Sequence, residues 1–206
     1  LSDINLILAH LVGENKYTET YAKSHKYTIM DNGAFELGEP YKPEKLLDLG
    51  IKANASCIVL PDYPGKPGKE TIHAALEYMD LFKGHGFDVM FVPQSVEGDF
   101  DDYMKTLHWA LAEPKINLIG LSILGAPNAL PKLDRNDART YILSKVLGLN
   151  KKKFHMLGAL DSVDEITKWK RYEHMIYSHD TSAAVWYGHN GLSVQNRSKK
   201  FSLPVE

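Results

Sequence analysis

Seven short apolar runs recur along the chain, each closed by polar, Gly or Pro residues: "INLILAH" (4–10), "YTIMDNG" (27–33), "SCIVLPD" (56–62), "DVMFVPQ" (88–94), "INLIGLS" (116–122), "FHMLGAL" (154–160) and "HMIYSHD" (174–180). They mostly lack a strict two-residue alternation, as strands buried on both faces do. Between them lie stretches of helical period. Residues 43–53 open with Pro at a first helical position, and 69–83 place Ile72, Leu76, Met79 and Phe82 on one side. Residues 99–112, 137–147 and 162–172 read the same way, and the last opens with Ser162-x-x-Glu165, a capping box. Strand and helix thus alternate, which predicts a parallel sheet with crossover helices. With "AAVWYG" (183–188) as an eighth strand, the expected fold is α/β, a compact (β/α)8 TIM-type barrel. It would form a single domain over residues 1–195, with a basic C-terminal tail at 196–206. An open doubly wound sheet is the structural alternative, but no Gly-x-Gly-x-x-Gly or P-loop segment follows a strand to favour it.

Composition narrows the partners. The 206 residues suffice for a substantial core, and the net charge of −2 provides no global attraction to a polyanion. Any nucleic-acid contact must therefore be local, and the basic candidates are Lys151, Lys152, Lys153, Arg197, Lys199 and Lys200. Cys57 is the only cysteine, which excludes a disulfide within the chain and any cysteine-cluster zinc site. The nine histidines show no ligand spacing, so neither a metal nor a cofactor is expected. No apolar run approaches the ~18 residues of a membrane span, and "LSDINLILAH" lacks the basic start of a signal peptide. A cytoplasmic protein without a membrane partner is the expectation.

In a parallel α/β architecture the site lies at the carboxyl ends of the strands. The residues ending the apolar runs are His10, Asp31, Asp62, Gln94, Ser122, Gly158 and Asp180. An Asp at a strand-to-helix turn also serves as a helix cap. Several such groups together, most beside Gly or Pro, point to a mouth where a flat ligand can approach the backbone.

These residues resemble a known family. "MDNGAFELG" (30–38) is similar to the Asp-Ser-Gly-Gly-Phe-Gln segment of tRNA-guanine transglycosylases, which exchange guanine for a 7-deazaguanine base. "LPDYPG" (60–65), "VPQSVEG" (92–98), "IGLSILG" (119–125), "HMLGAL" (155–160) and "YSHDTSAAVWYG" (177–188) follow in that family's order, so the resemblance runs over residues 26–190. It departs from the family at Ala34 and Glu36, which stand where the family has Gly and Gln, and in lacking the cysteine-and-histidine zinc site associated with tRNA docking and dimer formation. A related branch that inserts 7-deazaguanines into DNA resembles the chain in the same strand-end motifs.

The resemblance implies specific roles. Asp180 would attack the ribose C1′ and hold the sugar covalently, while Asp31 would act as general acid and base on the departing and arriving bases. Asp62 and Gln94 would read the purine-like edge, helped by the backbone around Gly120 and Leu121. Met156 and Leu157, ahead of Gly158, would form a wall for stacking, with Phe35 near the other side. The chemistry needs two carboxylates, since one must stabilise or trap the cationic sugar carbon and the other must move the proton of the base. The expected reaction is exchange of a guanine-type base in a polynucleotide, with DNA placed ahead of tRNA and room for a partner protein to supply docking surface. A hydrolase that releases the base to water, or a non-catalytic module that binds a 7-deazaguanine, is the rival reading.

Overall fold

Seven parallel strands follow one another around a nearly closed, barrel-like sheet: β1 (Ile4–Leu8), β2 (Tyr27–Asp31), β3 (Cys57–Val59), β4 (Asp88–Phe91), β5 (Leu118–Ser122), β6 (Lys153–Leu157) and β7 (Ile176–His179). The structure, a computed structural model, describes residues 3–149, 152–158, 163–182 and 189–190, without the side chains of Asn136, Val163 and Asp164. Among these, each strand pairs in parallel with its neighbours in the chain. That order belongs to a singly wound barrel; a doubly wound sheet would reverse at a switch point. The expected eighth strand at 183–188, Trp186 and the tail at 196–206 lie outside the described residues.

The sheet is flanked by α1 (Asn15–Ala22), α2 (Ala34–Leu37), α3 (Pro43–Lys52), α4 (Gly68–Gly84), α5 (Phe100–Ala112), α6 (Gly125–Ala129), α7 (Arg135–Val146) and α8 (Val163–Trp169). Pro43 opens α3, and Asp99 caps α5 by accepting the Asp102 amide hydrogen bond. One detail differs from the sequence expectation. Leu76 is exposed, because Thr71, Ala75, Met79 and Phe82 form the buried stripe of α4. The expected capping box Ser162-x-x-Glu165 lies partly outside the described residues, at Ser162, while the Glu165 side chain is fully buried against Arg139. The helices α1, α2 and α6 were not legible, since α1 is polar and the other two are only 4 and 5 residues long.

Period-two alternation sorts the strand side chains into two cores. Ile29, Cys57, Val59, Met90, Val92 and Leu118 point inward and pack with Ile4, Leu6, Tyr27 and Leu157 inside the barrel. Met30, Ile58, Phe91, Ile119, Leu121, Phe154 and Met156 point outward and pack with the helices. At the amino end of the barrel, Tyr27 of β2 meets Tyr177 of β7 edge-on, with ring centroids 5.8 Å apart. Filling the interior with apolar side chains makes it a packed core rather than a channel, so ligand access is confined to an end. Among the described residues no helix is long and apolar enough to cross a membrane.

Candidate active site

At the carboxyl ends of the strands lies a cavity of about 360 Å³. Its wall includes Asp31, Phe35, Asp62, Gln94, Ser122, Leu157, Gly158 and Asp180. The parallel sheet brings these together because every strand delivers its last inward side chain to the same end. The cavity wall also holds Glu36 and Arg135, so its charged groups are four carboxyls and one guanidinium set among apolar side chains. Phe35 stands at the rim with 70% of its surface exposed.

Several expected participants are placed elsewhere. Met156 and Leu121 occupy the outward phase of their strands and belong to the helix-facing core, so neither side chain reaches the cavity. The Leu121 carbonyl already accepts from Arg139 Nη1 at 3.3 Å. Gly120 sits in the β5–β6 ladder opposite His155, below the cavity wall. A Cβ there would come within 2.7 Å of Leu157 Cδ1 and 2.9 Å of Val92 Cγ2, so this glycine lets the floor close. His10 lies in a 3-10 turn past β1 and leaves the wall to Leu8. Lys152 and Lys153 stand at the amino end of β6, opposite the mouth. Lys152 donates to the carbonyls of Ala110 and Glu113 at the end of α5, and Lys153 to that of His174, which makes them local ties. Lys151, Arg197, Lys199 and Lys200 lie outside the described residues.

One wall is a row of buried amides around Asp62, which is 5% exposed. Asp62 Oδ1 accepts from Asn32 Nδ2 at 2.6 Å, and Oδ2 accepts from Gln94 Nε2 at 2.5 Å. Asn32 Nδ2 also donates to the Leu60 carbonyl at 2.7 Å, and its Oδ1 accepts from the Ala34 amide at 2.8 Å. Burial pushes the Asp62 carboxyl up to about 6 against the pull of these two donors. With its nitrogen committed to Asp62, Gln94 presents Oε1 as a buried acceptor with no partner among the described residues. Next to this row, Asp31 Oδ1 takes the Gly33 amide at 2.8 Å, a local turn. Burial raises the Asp31 carboxyl to about 7, and Asp62, Glu36 and Asp180 add to the rise.

Asp180 occupies the opposite wall, just beyond β7. Its Oδ1 accepts from the Gly158 amide at 2.9 Å and from His155 Nε2 at 3.1 Å. Gly158 adopts φ +63°, and a Cβ at this position would lie 2.9 Å from Ile123 Cγ2. This left-handed turn aims the amide at Asp180. The same turn is pinned from behind by Arg139, whose Nη1 donates to the Leu157 carbonyl at 3.0 Å and whose Nη2 donates to buried Glu165.

Asn32, His155 and Arg139 were missed in the sequence. Asn32 was hidden by its stronger neighbour Asp31, although strand-end spacing to Asp62 makes it a natural partner. His155 read as one histidine among nine, and Arg139 as part of an ordinary helix surface; only packing shows them buried. No protein-family model matches the chain, and no curated protein matches it.

Proposed function

We propose that the chain is a transglycosylase that exchanges a guanine-type base in a polynucleotide for a 7-deazaguanine through a covalent Asp180–sugar bond, with DNA preferred over tRNA. The observation that supports this best is the pair of unlike carboxyl groups on one cavity: Asp180, anchored through Oδ1 with Oδ2 free of partners among the described residues, and Asp31, raised to about 7. Asp180 Oδ2 forms the bond to C1′ as the C1′–N bond breaks and its electron pair passes to the base. Asp31 gives that base a proton and later removes one from the incoming base. A carboxyl near 7 is half protonated at neutral pH, which suits both directions of transfer.

The acceptor-rich wall supports a ligand bearing N–H groups. Each Asp62 oxygen retains capacity for a further hydrogen bond, and Gln94 Oε1 has its full capacity. A ligand that left this buried oxygen unpaired would forgo roughly 1–3 kcal/mol, which discriminates against bases lacking the matching donor. The carboxylate-lined interior disfavours phosphates, which stay at the mouth in this reading. At about 360 Å³ the cavity is at the small end of the ~300–1,000 Å³ range of ligand sites, enough for one extruded nucleotide.

The test is incubation with labelled guanine or 7-deazaguanine and separate DNA and tRNA pools. Label is expected in one pool, with a covalent sugar adduct on the intact chain and none on Asp180→Ala. Full exchange by Asp180→Ala refutes the reading. Abasic sugars formed without added base indicate a hydrolase. Binding of 7-deazaguanine in calorimetry with no adduct indicates a binding module.

A further inference from the structure

The imidazole of His155 is 1% exposed and lies between Ser178 of β7 and Asp180 just beyond that strand. Its Nε2 is 3.1 Å from Asp180 Oδ1 and its Nδ1 is 2.7 Å from Ser178 Oγ. An ionised carboxylate only accepts, so Nε2 carries the hydrogen, and a neutral ring then accepts the Ser178 hydroxyl at Nδ1. The register creates this contact. Phe154 pairs with Ile176 but His155 pairs with Ser178, so Tyr177 is an extra residue in β7. This bulge shifts the phase of the strand and brings Ser178 and Asp180 onto the side that His155 faces. Both ring nitrogens are occupied within the protein.

We infer that His155 is a positioning residue for Asp180, holding Oδ1 so that Oδ2 faces the sugar carbon. The inference rests on the transglycosylase reading above. In the first half of the exchange Oδ2 bonds to C1′ as the base leaves. In the second half the incoming base attacks C1′, the C1′–Oδ2 bond breaks, and its electron pair returns to the carboxylate. Nε2–H and the Gly158 N–H then receive that charge at Oδ1, and a preorganised pair of donors stabilises it without rearrangement. Ser178 contributes by holding the ring in the tautomer that donates.

The test compares His155→Phe, His155→Gln and Ser178→Ala with the intact chain in two measurements. Amide hydrogen exchange at Gly158 requires no substrate, and steady-state kinetics follow labelled guanine entering the accepted polymer. His155→Phe is expected to lower the Gly158 protection about tenfold, and kcat about 10- to 100-fold with KM changed less than about twofold. The Gln amide can donate to the same oxygen and is expected to restore most of both, while Ser178→Ala gives an intermediate loss. Unchanged Gly158 protection in His155→Phe, or a Gln variant as impaired as the Phe variant, overturns the role. If the intact chain labels no polymer, the transglycosylase reading fails, and Gly158 exchange still decides whether His155 holds Asp180.

Discussion

Replacing Asp31 by asparagine is expected to make the protein more stable and less active. In the folded chain the carboxyl is raised from its ordinary 3.8 to about 7, chiefly by burial and further by Asp62, Glu36 and Asp180. The folded state therefore keeps a proton that the unfolded state releases, and stability falls as pH rises through the window from about 4 to about 7. Above that window the full penalty applies, and below it there is none. A rise of this size corresponds to about 4 kcal/mol. The carboxyl faces an open cavity where water screens it, so about 2 kcal/mol is the expected gain for Asp31→Asn at pH 8. Asparagine keeps an oxygen for the Gly33 amide, so the turn survives. Urea unfolding of both proteins at pH 8 and pH 3.5 measures the difference, which should shrink toward zero at the lower pH. The same variant should lose about 10²–10⁴ in exchange rate, the span of general acid–base catalysis. A variant no more stable than its parent at pH 8, or a gain undiminished at pH 3.5, refutes the burial argument.

Gly158→Ala should cost roughly 1–3 kcal/mol, from the left-handed backbone and the contact with Ile123, and should weaken adduct formation; thermal melts and adduct mass measure the two effects. Asn32→Leu strips a donor from both Asp62 and the Leu60 carbonyl, so calorimetry should show base binding reduced about tenfold and unfolding should show a loss of roughly 1–3 kcal/mol. Lys152→Ala and Lys153→Ala should leave nucleic-acid affinity and its salt slope unchanged, because both side chains are tied to carbonyls at the far end of the barrel. Arg139→Met should destabilise by about 3–5 kcal/mol by removing the cation paired with the buried Glu165 carboxylate, whereas pairing it with Glu165→Leu should recover most of that loss in denaturant melts.

The run of short apolar segments alternating with amphipathic stretches determined the parallel sheet, and the ends of those runs identified Asp31, Asp62, Gln94, Gly158 and Asp180 as neighbours. That information is local: hydrophobic period, strand length and turn residues are properties of adjacent positions, and the parallel winding then carries every strand end to one mouth. Which way a side chain at a strand end points is not local in the same way. Leu157 faces the cavity while Met156 faces the helices, and a single extra residue in β7 sets the phase that brings His155 onto Asp180. Burial is likewise a tertiary property. Asn32, Arg139 and His155 are ordinary polar residues in the sequence, and only the closing of the sheet around them removes water, gives them their hydrogen-bond partners and turns them into the frame around the two carboxylates at one cavity.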